Sequence, residues 1–132
     1  MRRDQIIEQE MSDLAHRVMH ADDSIIFSAV GHASGSLVSS SAPRHFSPQD
    51  RLTQADIEKY VFQTGINCAM QRIWEHRAGR LRYFASYYDG MMLVTVVLNE
   101  DYFLLTAIDQ AGGSVDGFIT KKIIPSLSKM MH

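Results

Sequence analysis

The stretch Arg80–Asp109, RLRYFASYYDGMMLVTVVLNEDYFLLTAID, limits the folds open to this chain more than any other segment. Asp89-Gly90 and Asn99-Glu100-Asp101 are turn sequences, and they divide the stretch into three predicted strands. The strands are Leu81–Tyr88, Met91–Leu98 and Tyr102–Ile108. Short turns require antiparallel neighbours, and Asp-Gly favours a hairpin turn with positive φ at both central positions. Because the last two strands do not alternate apolar with polar residues, we expect helices to cover both faces of the sheet.

The N-terminal part of the chain predicts a helix followed by a hairpin. Asp4–Met19 has apolar residues at helical spacing, and they form one stripe: Ile7, Met11, Leu14 and Val18. Ser24–Val30 is short, apolar and rich in β-formers, whereas Leu37–Ser41 is a weaker strand whose serines suit a sheet edge. Gly31–Gly35 is predicted to be the turn between them, since it lacks the spacing of a phosphate-binding loop or a nucleophile elbow.

Leu52–Gly79 is the strongest helix prediction in the chain. Thr53 and Asp56 have the spacing of a capping box, and Gly79 follows the last periodic residues as a C′ glycine does. The helical wheel has two apolar stripes. The first stripe is Phe62, Ile66, Ala69 and Ile73, and the second stripe is Ile57, Val61 and Cys68. We expect the first stripe to face the core, and the second to indicate burial against a partner.

The remaining segments complete one domain over residues 1–132. Ala42–Leu52 is predicted to be a loop, and its Arg, His and Phe side chains suit either a plain connector or a binding loop. A last helix is predicted after Ser114, with an interruption at Pro125. The order α-β-β-α-β-β-β-α predicts a three-layer α-β-α sandwich of the α+β class.

Composition narrows the classes of protein to consider. A net charge of −2 provides no basic field for nucleic acid, and no apolar run approaches the ~20 residues of a membrane span. Cys68 is the only cysteine, so the chain forms no internal disulfide and no Cys-based metal cage. We therefore expect a cytoplasmic protein.

The residues that suggest chemistry have simpler interpretations. His16 and His20 have the i, i+4 spacing of two metal ligands, yet they lie opposite the apolar stripe with no third ligand nearby. We interpret them as surface histidines; the alternative is a weak transition-metal site. No acid, base and nucleophile occur at a recognisable spacing. We therefore expect no enzyme activity, no cofactor and no dedicated metal site.

The element order, with a long helix between two strands and three strands, resembles the profilin-like fold of the roadblock/dynein light chain superfamily. DDSIIFSAVGHASGSLVSS looks like that family's first hairpin, and Arg80–Asp109 looks like its closing meander. MQRIWEH and FASYYDG are also similar to segments of small, stand-alone archaeal members. The resemblance implies a five-stranded antiparallel sheet with the middle helix on one face and the terminal helices on the other.

The resemblance also implies a homodimer formed through the middle helix and the strand after it. It further implies an adaptor, or a regulator of a small Ras-like GTPase, without enzyme activity of its own. We expect the dimer contact at Ile57, Val61, Cys68, Tyr83, Phe84, Tyr87 and Tyr88. Two alternatives remain: that these residues pack inside one subunit, and that the chain is a PAS- or GAF-like sensor module with a small ligand between sheet and helix.

Overall fold

The structure is a computed structural model that describes residues 3–41, 53–109, 121 and 123–125. Its elements, in chain order, are α1 (Arg3–Met19), β1 (Ile25–His32), β2 (Leu37–Ser41), α2 (Gln54–Arg72), α3 (Glu75–Ala78), β3 (Tyr83–Tyr87), β4 (Met91–Val97) and β5 (Tyr102–Asp109). The ends of all five strands lie within two residues of the predicted ends. None of the helices within these ranges is both long and apolar enough to cross a membrane.

The five strands form one antiparallel sheet in the order β2-β1-β5-β4-β3. β3, β4 and β5 are the predicted meander. β1 joins that meander by pairing with β5, so Ser28 lies opposite Thr106 and Val30 lies opposite Leu104. The predicted five-stranded α+β fold is therefore confirmed, with β2 and β3 at the two edges.

Both faces of the sheet are buried, as the apolar strands predicted. On one face α1 buries Met11, Leu14 and Val18 of its apolar stripe. This cluster continues into alternate strand residues and Ile123: Ile25, Val30, Met92, Val94, Val96, Leu104 and Ile108 complete it. On the other face α2 covers a second cluster, whose sheet residues are Phe27, Ala29, Leu93, Phe103, Leu105 and Ala107. Each strand thus supplies apolar side chains to two separate cores.

Two local predictions were wrong. Asp89-Gly90 joins β3 to β4, but neither residue has a positive φ, so the turn does not have the predicted hairpin conformation. The predicted helix Leu52–Gly79 is divided, because α2 ends at Arg72 and α3 begins at Glu75. Gly79 does end the second piece, with a φ of 89° that favours glycine, and its N–H donates to the carbonyl oxygen of Glu75 at 3.0 Å.

The first hairpin is longer than predicted, because β1 continues through Gly31 to His32. A Cβ on Gly31 would lie 2.4 Å from the ring of Phe103 and 2.7 Å from Val61, so only glycine fits beneath α2. The predicted loop at 42–52 and most of the predicted C-terminal helix lie outside the described residues.

Candidate protein-interaction surface

α2 begins at the predicted capping box. The Thr53 hydroxyl accepts a hydrogen bond from the backbone N–H of Asp56 at 3.1 Å, and the Asp56 carboxylate accepts one from the N–H of Thr53 at 2.9 Å. These bonds satisfy two N–H groups that a helix end otherwise leaves without partners. The hydrogen bond from the Thr53 backbone, followed by that from its hydroxyl, lowers the pKa of Asp56 below its ordinary value.

The side of α2 that faces the sheet carries the second stripe. Ile57, Val61 and Cys68 are 3%, 0% and 7% exposed and pack among the sheet residues of their own subunit. The prediction that the first stripe faces the core was therefore wrong. Burial raises the pKa of the Cys68 thiol to about 11, which makes this thiol a poor nucleophile.

Two glycines explain which stripe faces the sheet. Gly65 lies on the buried side of α2, and a Cβ there would lie 3.0 Å from the Cα of Gly35 in the β1–β2 turn. Gly35 itself has a φ of 92° and lies against Phe62. A glycine in the middle of a helix costs about 1 kcal/mol relative to alanine, so a close backbone approach is a physical reason for it. Gly65 was the signal in the sequence that could have identified the buried side.

The outward side of α2 is apolar and exposed. Phe62, Ile66 and Ile73 of the first stripe are 57%, 49% and 65% exposed, and Ala69 is exposed with them. Met70, one turn after Ile66, widens this surface. We call Phe62, Ile66, Ala69, Met70 and Ile73 the outer stripe of α2. Within the described parts of the chain, eight of the nine exposed large hydrophobic side chains lie between Phe62 and Tyr88.

A salt bridge links the last residue of α2, Arg72, to the first residue of α3, Glu75. Arg72 Nε donates to Glu75 Oε1 at 3.1 Å, and Glu75 Oε2 accepts the backbone N–H of Leu81 at 2.8 Å. The Leu81 hydrogen bond, and then the Arg72 bond, lower the pKa of Glu75. The carboxylate thus ties the start of α3 to the chain leading into β3. Trp74 stands in the break and is 62% exposed.

β3 lies at one edge of the sheet and pairs with β4 alone among the described strands. Tyr83, Tyr87 and Tyr88, in and just after this strand, are 38%, 67% and 50% exposed. Phe84 is half-buried and packs against the cluster beneath α2. The predicted interface residues therefore divide into exposed tyrosines in and just after β3, the half-buried Phe84, and buried residues on α2.

A shallow cleft separates α2 from β3. Tyr60, Gln63 and Asn67 line it from the helix, while Ser86 and Tyr88 line it from the strand. Its water-accessible volume is about 70 Å³, whereas pockets for drug-sized ligands start at ~300 Å³. In a single chain, this cleft has room for water and not for a ligand of the size that a sensor module binds.

No protein-family model and no curated protein matches this chain. Solved structures do. An MglB protein with a tetrameric arrangement superimposes with a TM-score of 0.73 and 9% identity, over 93% of this chain and 86% of that one. The gliding protein MglB from Thermus thermophilus superimposes with a TM-score of 0.69 and 9% identity, over 93% of this chain and 84% of that one. The chain has the roadblock/LC7 fold. A roadblock/LC7 domain from Streptomyces avermitilis gives 0.65 and 12% identity, over 95% and 98% of the two chains.

Proposed function

We propose that this protein is a non-enzymatic, homodimeric adaptor or regulator of the roadblock type, and that it acts on a small Ras-like GTPase. The fold it shares with the MglB structures supports a role of this type. The tetrameric arrangement of one MglB protein is in keeping with self-association. The observation that carries the proposal is the exposed outer stripe of α2.

The outer stripe gives α2 a second apolar side that the described residues of its own subunit leave exposed. A surface helix needs one apolar stripe to pack on its domain, and in α2 the stripe of Ile57, Val61 and Cys68 already meets that need. Burying a large aliphatic or aromatic side chain stabilises an association by about 1.5–3 kcal/mol. Phe62, Ile66 and Ile73 are therefore suited to packing against the α2 of a second copy.

β3 supplies the second part of the proposed contact. An edge strand presents backbone N–H and C=O groups along its outer side, and another strand can pair with them. Tyr83, Tyr87 and Tyr88 add large, rigid side chains of a type enriched at interfaces. Phe84, next to Tyr83 on the same strand, packs against the cluster beneath α2 that contains Ile57, Val61 and Cys68.

Size-exclusion chromatography with light scattering tests the dimer. We expect a mass of twice 14.9 kDa for the wild-type chain. Ile66→Asp and Tyr83→Asp should each raise the dissociation constant of the dimer by about 30-fold, as for an interface residue worth about 2 kcal/mol. Both side chains are exposed, so circular dichroism should show a folded chain in each variant.

Ser12→Asp is the matched control, because Ser12 is exposed on α1 and away from the proposed contact. It adds the same charge and should leave the mass unchanged. A wild-type chain that stays at 14.9 kDa at high micromolar concentration would contradict the dimer.

The GTPase partner is tested separately. Each Ras-like GTPase of the source organism, loaded with a fluorescent analogue of GTP and separately of GDP, is titrated with the chain while fluorescence anisotropy is recorded. We expect a saturable rise with at least one GTPase, and a weaker rise with Ile73→Asp. If no GTPase gives a rise in either nucleotide state, a different class of partner is indicated.

A further inference from the structure

We propose that His16 and His20 form a two-imidazole site for a divalent transition-metal ion at the C-terminal end of α1. Their Nε2 atoms are 3.2 Å apart, and the ring centroids are 4.6 Å apart at an interplanar angle of 78°. Both side chains are exposed. The proposal concerns the face of the molecule that carries α1, and it does not depend on the proposed function.

The separation of the two nitrogens matches the bite of a bidentate site. With metal–nitrogen bonds of ~2.1 Å, two nitrogens 3.2 Å apart subtend about 100° at the metal. This angle lies between the ~90° of neighbouring octahedral ligands and the ~109° of tetrahedral ones. Imidazole suits zinc, copper and nickel, whereas magnesium and calcium prefer oxygen ligands.

The backbone beneath the pair is held in place by packing. Leu14, Ala15 and Val18 alternate with the two histidines along α1 and are 2%, 1% and 0% exposed. The backbone N–H of His20 still donates to the carbonyl oxygen of His16 at 3.3 Å, so the helical spacing extends through both residues. The backbone positions of both histidines are therefore set before a metal arrives, and only the two side chains have to be ordered on binding.

Electrostatics at this end of α1 favour a cation. A helix C-terminus carries partial negative charge from its unpaired carbonyl groups. From Glu10 to Asp23 the chain has four carboxylates and one arginine, a net charge of −3 with the histidines neutral. Within the described residues no group of three or more His, Cys, Asp or Glu side chains is placed to hold a metal, so water would fill the other coordination positions.

Binding requires a specific protonation state of the two rings. In the hydrogen-bonded pair one Nε2 donates and the other accepts. Metal binding replaces that hydrogen bond: both imidazoles are neutral, their protons lie on Nδ1, and both Nε2 lone pairs point to the ion. Both rings must turn about their side-chain torsions, because each metal–nitrogen bond would lie about 40° from the line that joins the two Nε2 atoms.

Isothermal titration calorimetry tests the site. The untagged full chain is titrated with ZnCl₂ and, separately, with NiCl₂. We expect saturable binding of one ion per chain, or of one ion per two chains if two copies share it. His16→Ala and His20→Ala should each raise the dissociation constant by about 100-fold, because the second imidazole binds at the high effective concentration of an intramolecular ligand. MgCl₂ should give no binding.

His76→Ala is the matched control, since His76 is also exposed and its Nδ1 lies 2.8 Å from the carbonyl oxygen of Ile73. It should bind zinc as the wild type does. Nitrogen NMR of the rings should show zinc shifting the Nε2 signals of His16 and His20 together. The proposal is overturned if zinc does not saturate, if either single variant binds as the wild type, or if His76→Ala loses as much affinity.

Discussion

The two sides of α2 are both apolar, but they have opposite environments. Ile57, Val61 and Cys68 lie against the sheet and are almost fully buried, whereas Phe62, Ile66 and Ile73 are half exposed or more. The outward side even has the larger side chains. The difference teaches that side-chain hydrophobicity does not decide which side of a helix packs inside its own domain. Here the closest approach between helix and sheet decides it, and Gly31, Gly35 and Gly65 make that approach possible.

The largest expected difference between the two sides is in thiol reactivity. At pH 8, the raised pKa of Cys68, about 11 against an ordinary 9.0, lowers its thiolate fraction by about 100-fold. Cys68 should therefore react with a disulfide reagent about 100-fold more slowly than the neighbouring position in the variant Cys68→Ala, Ala69→Cys. Stopped-flow absorbance measures both rates in the Ile66→Asp background, which weakens the proposed dimer, with the urea-unfolded chains as reference. Equal native rates would show that the two sides do not differ in this way.

The second comparison is of unfolding free energies. Val61→Ala removes a fully buried side chain from the cluster beneath α2 and should cost about 2 kcal/mol, near 30-fold in the unfolding equilibrium. Met70→Ala, on the 61% exposed side chain of the outer stripe, should cost less than about 0.5 kcal/mol. Urea denaturation at low micromolar concentration provides both values, with each substitution made in the Ile66→Asp background that weakens the proposed dimer. A larger loss for Met70→Ala in that background would mean that the outer stripe packs inside its own subunit.

The capping box should stabilise both sides of α2 together, because it determines where the helix begins. Thr53→Ala removes the acceptor for the Asp56 N–H and should lower the unfolding free energy by about 1 kcal/mol. Gln54→Ala, at the next position and also exposed, is the control and should change little. Chemical denaturation followed by circular dichroism makes the comparison. An equal loss in the two variants would indicate that the cap contributes nothing specific.

The smallest expected effect is a dependence on pH from Asp56. Its pKa is lower in the folded chain than the ordinary 3.8, so its stabilising contribution is complete above that value and is lost as the pH falls through the folded pKa. Wild type should therefore be more stable than Asp56→Asn near pH 7, and the difference should shrink below about pH 4. Parallel stability profiles from pH 7 down to pH 2 would contradict this.

Most of the fold could be predicted from local patterns. Uninterrupted apolar runs such as MMLVTVV predicted a sheet covered on both faces, and the structure buries those strands between two clusters. The capping box at Thr53 and Asp56 and the C′ position of Gly79 were also predicted, because hydrogen bonds between near neighbours determine them. The conformation at Asp89-Gly90 was not, since a turn preference is weak compared with the demands of the sheet.

The candidate surface was only partly predictable. The aromatic strand predicted Tyr83, Tyr87 and Tyr88 as interface residues, and the structure shows that they are exposed and that β3 is an edge strand. The helix residues named with them lie inside the subunit instead, because a helical wheel fixes the angle between two stripes but not the rotation of the helix on the sheet. The i, i+4 spacing of His16 and His20 was visible in the sequence. The 3.2 Å separation of their Nε2 atoms could be known only from the tertiary structure.

The sequence by itself determined that β3, β4 and β5 follow one another as a meander and that helices must cover both faces of the sheet. It also determined that α2 has two apolar sides. These conclusions follow from the spacing of apolar residues and from helix capping, both of which depend on residues close together in the sequence. Only the tertiary structure decided which side of α2 is core and which is surface. The choice depends on contacts between residues far apart in the chain, such as Gly65 with Gly35 and Val61 with Gly31. Backbone atoms can approach closely only where no Cβ intervenes. The rotation of α2 about its axis is therefore determined by its contacts with the glycines of β1 and the β1–β2 turn.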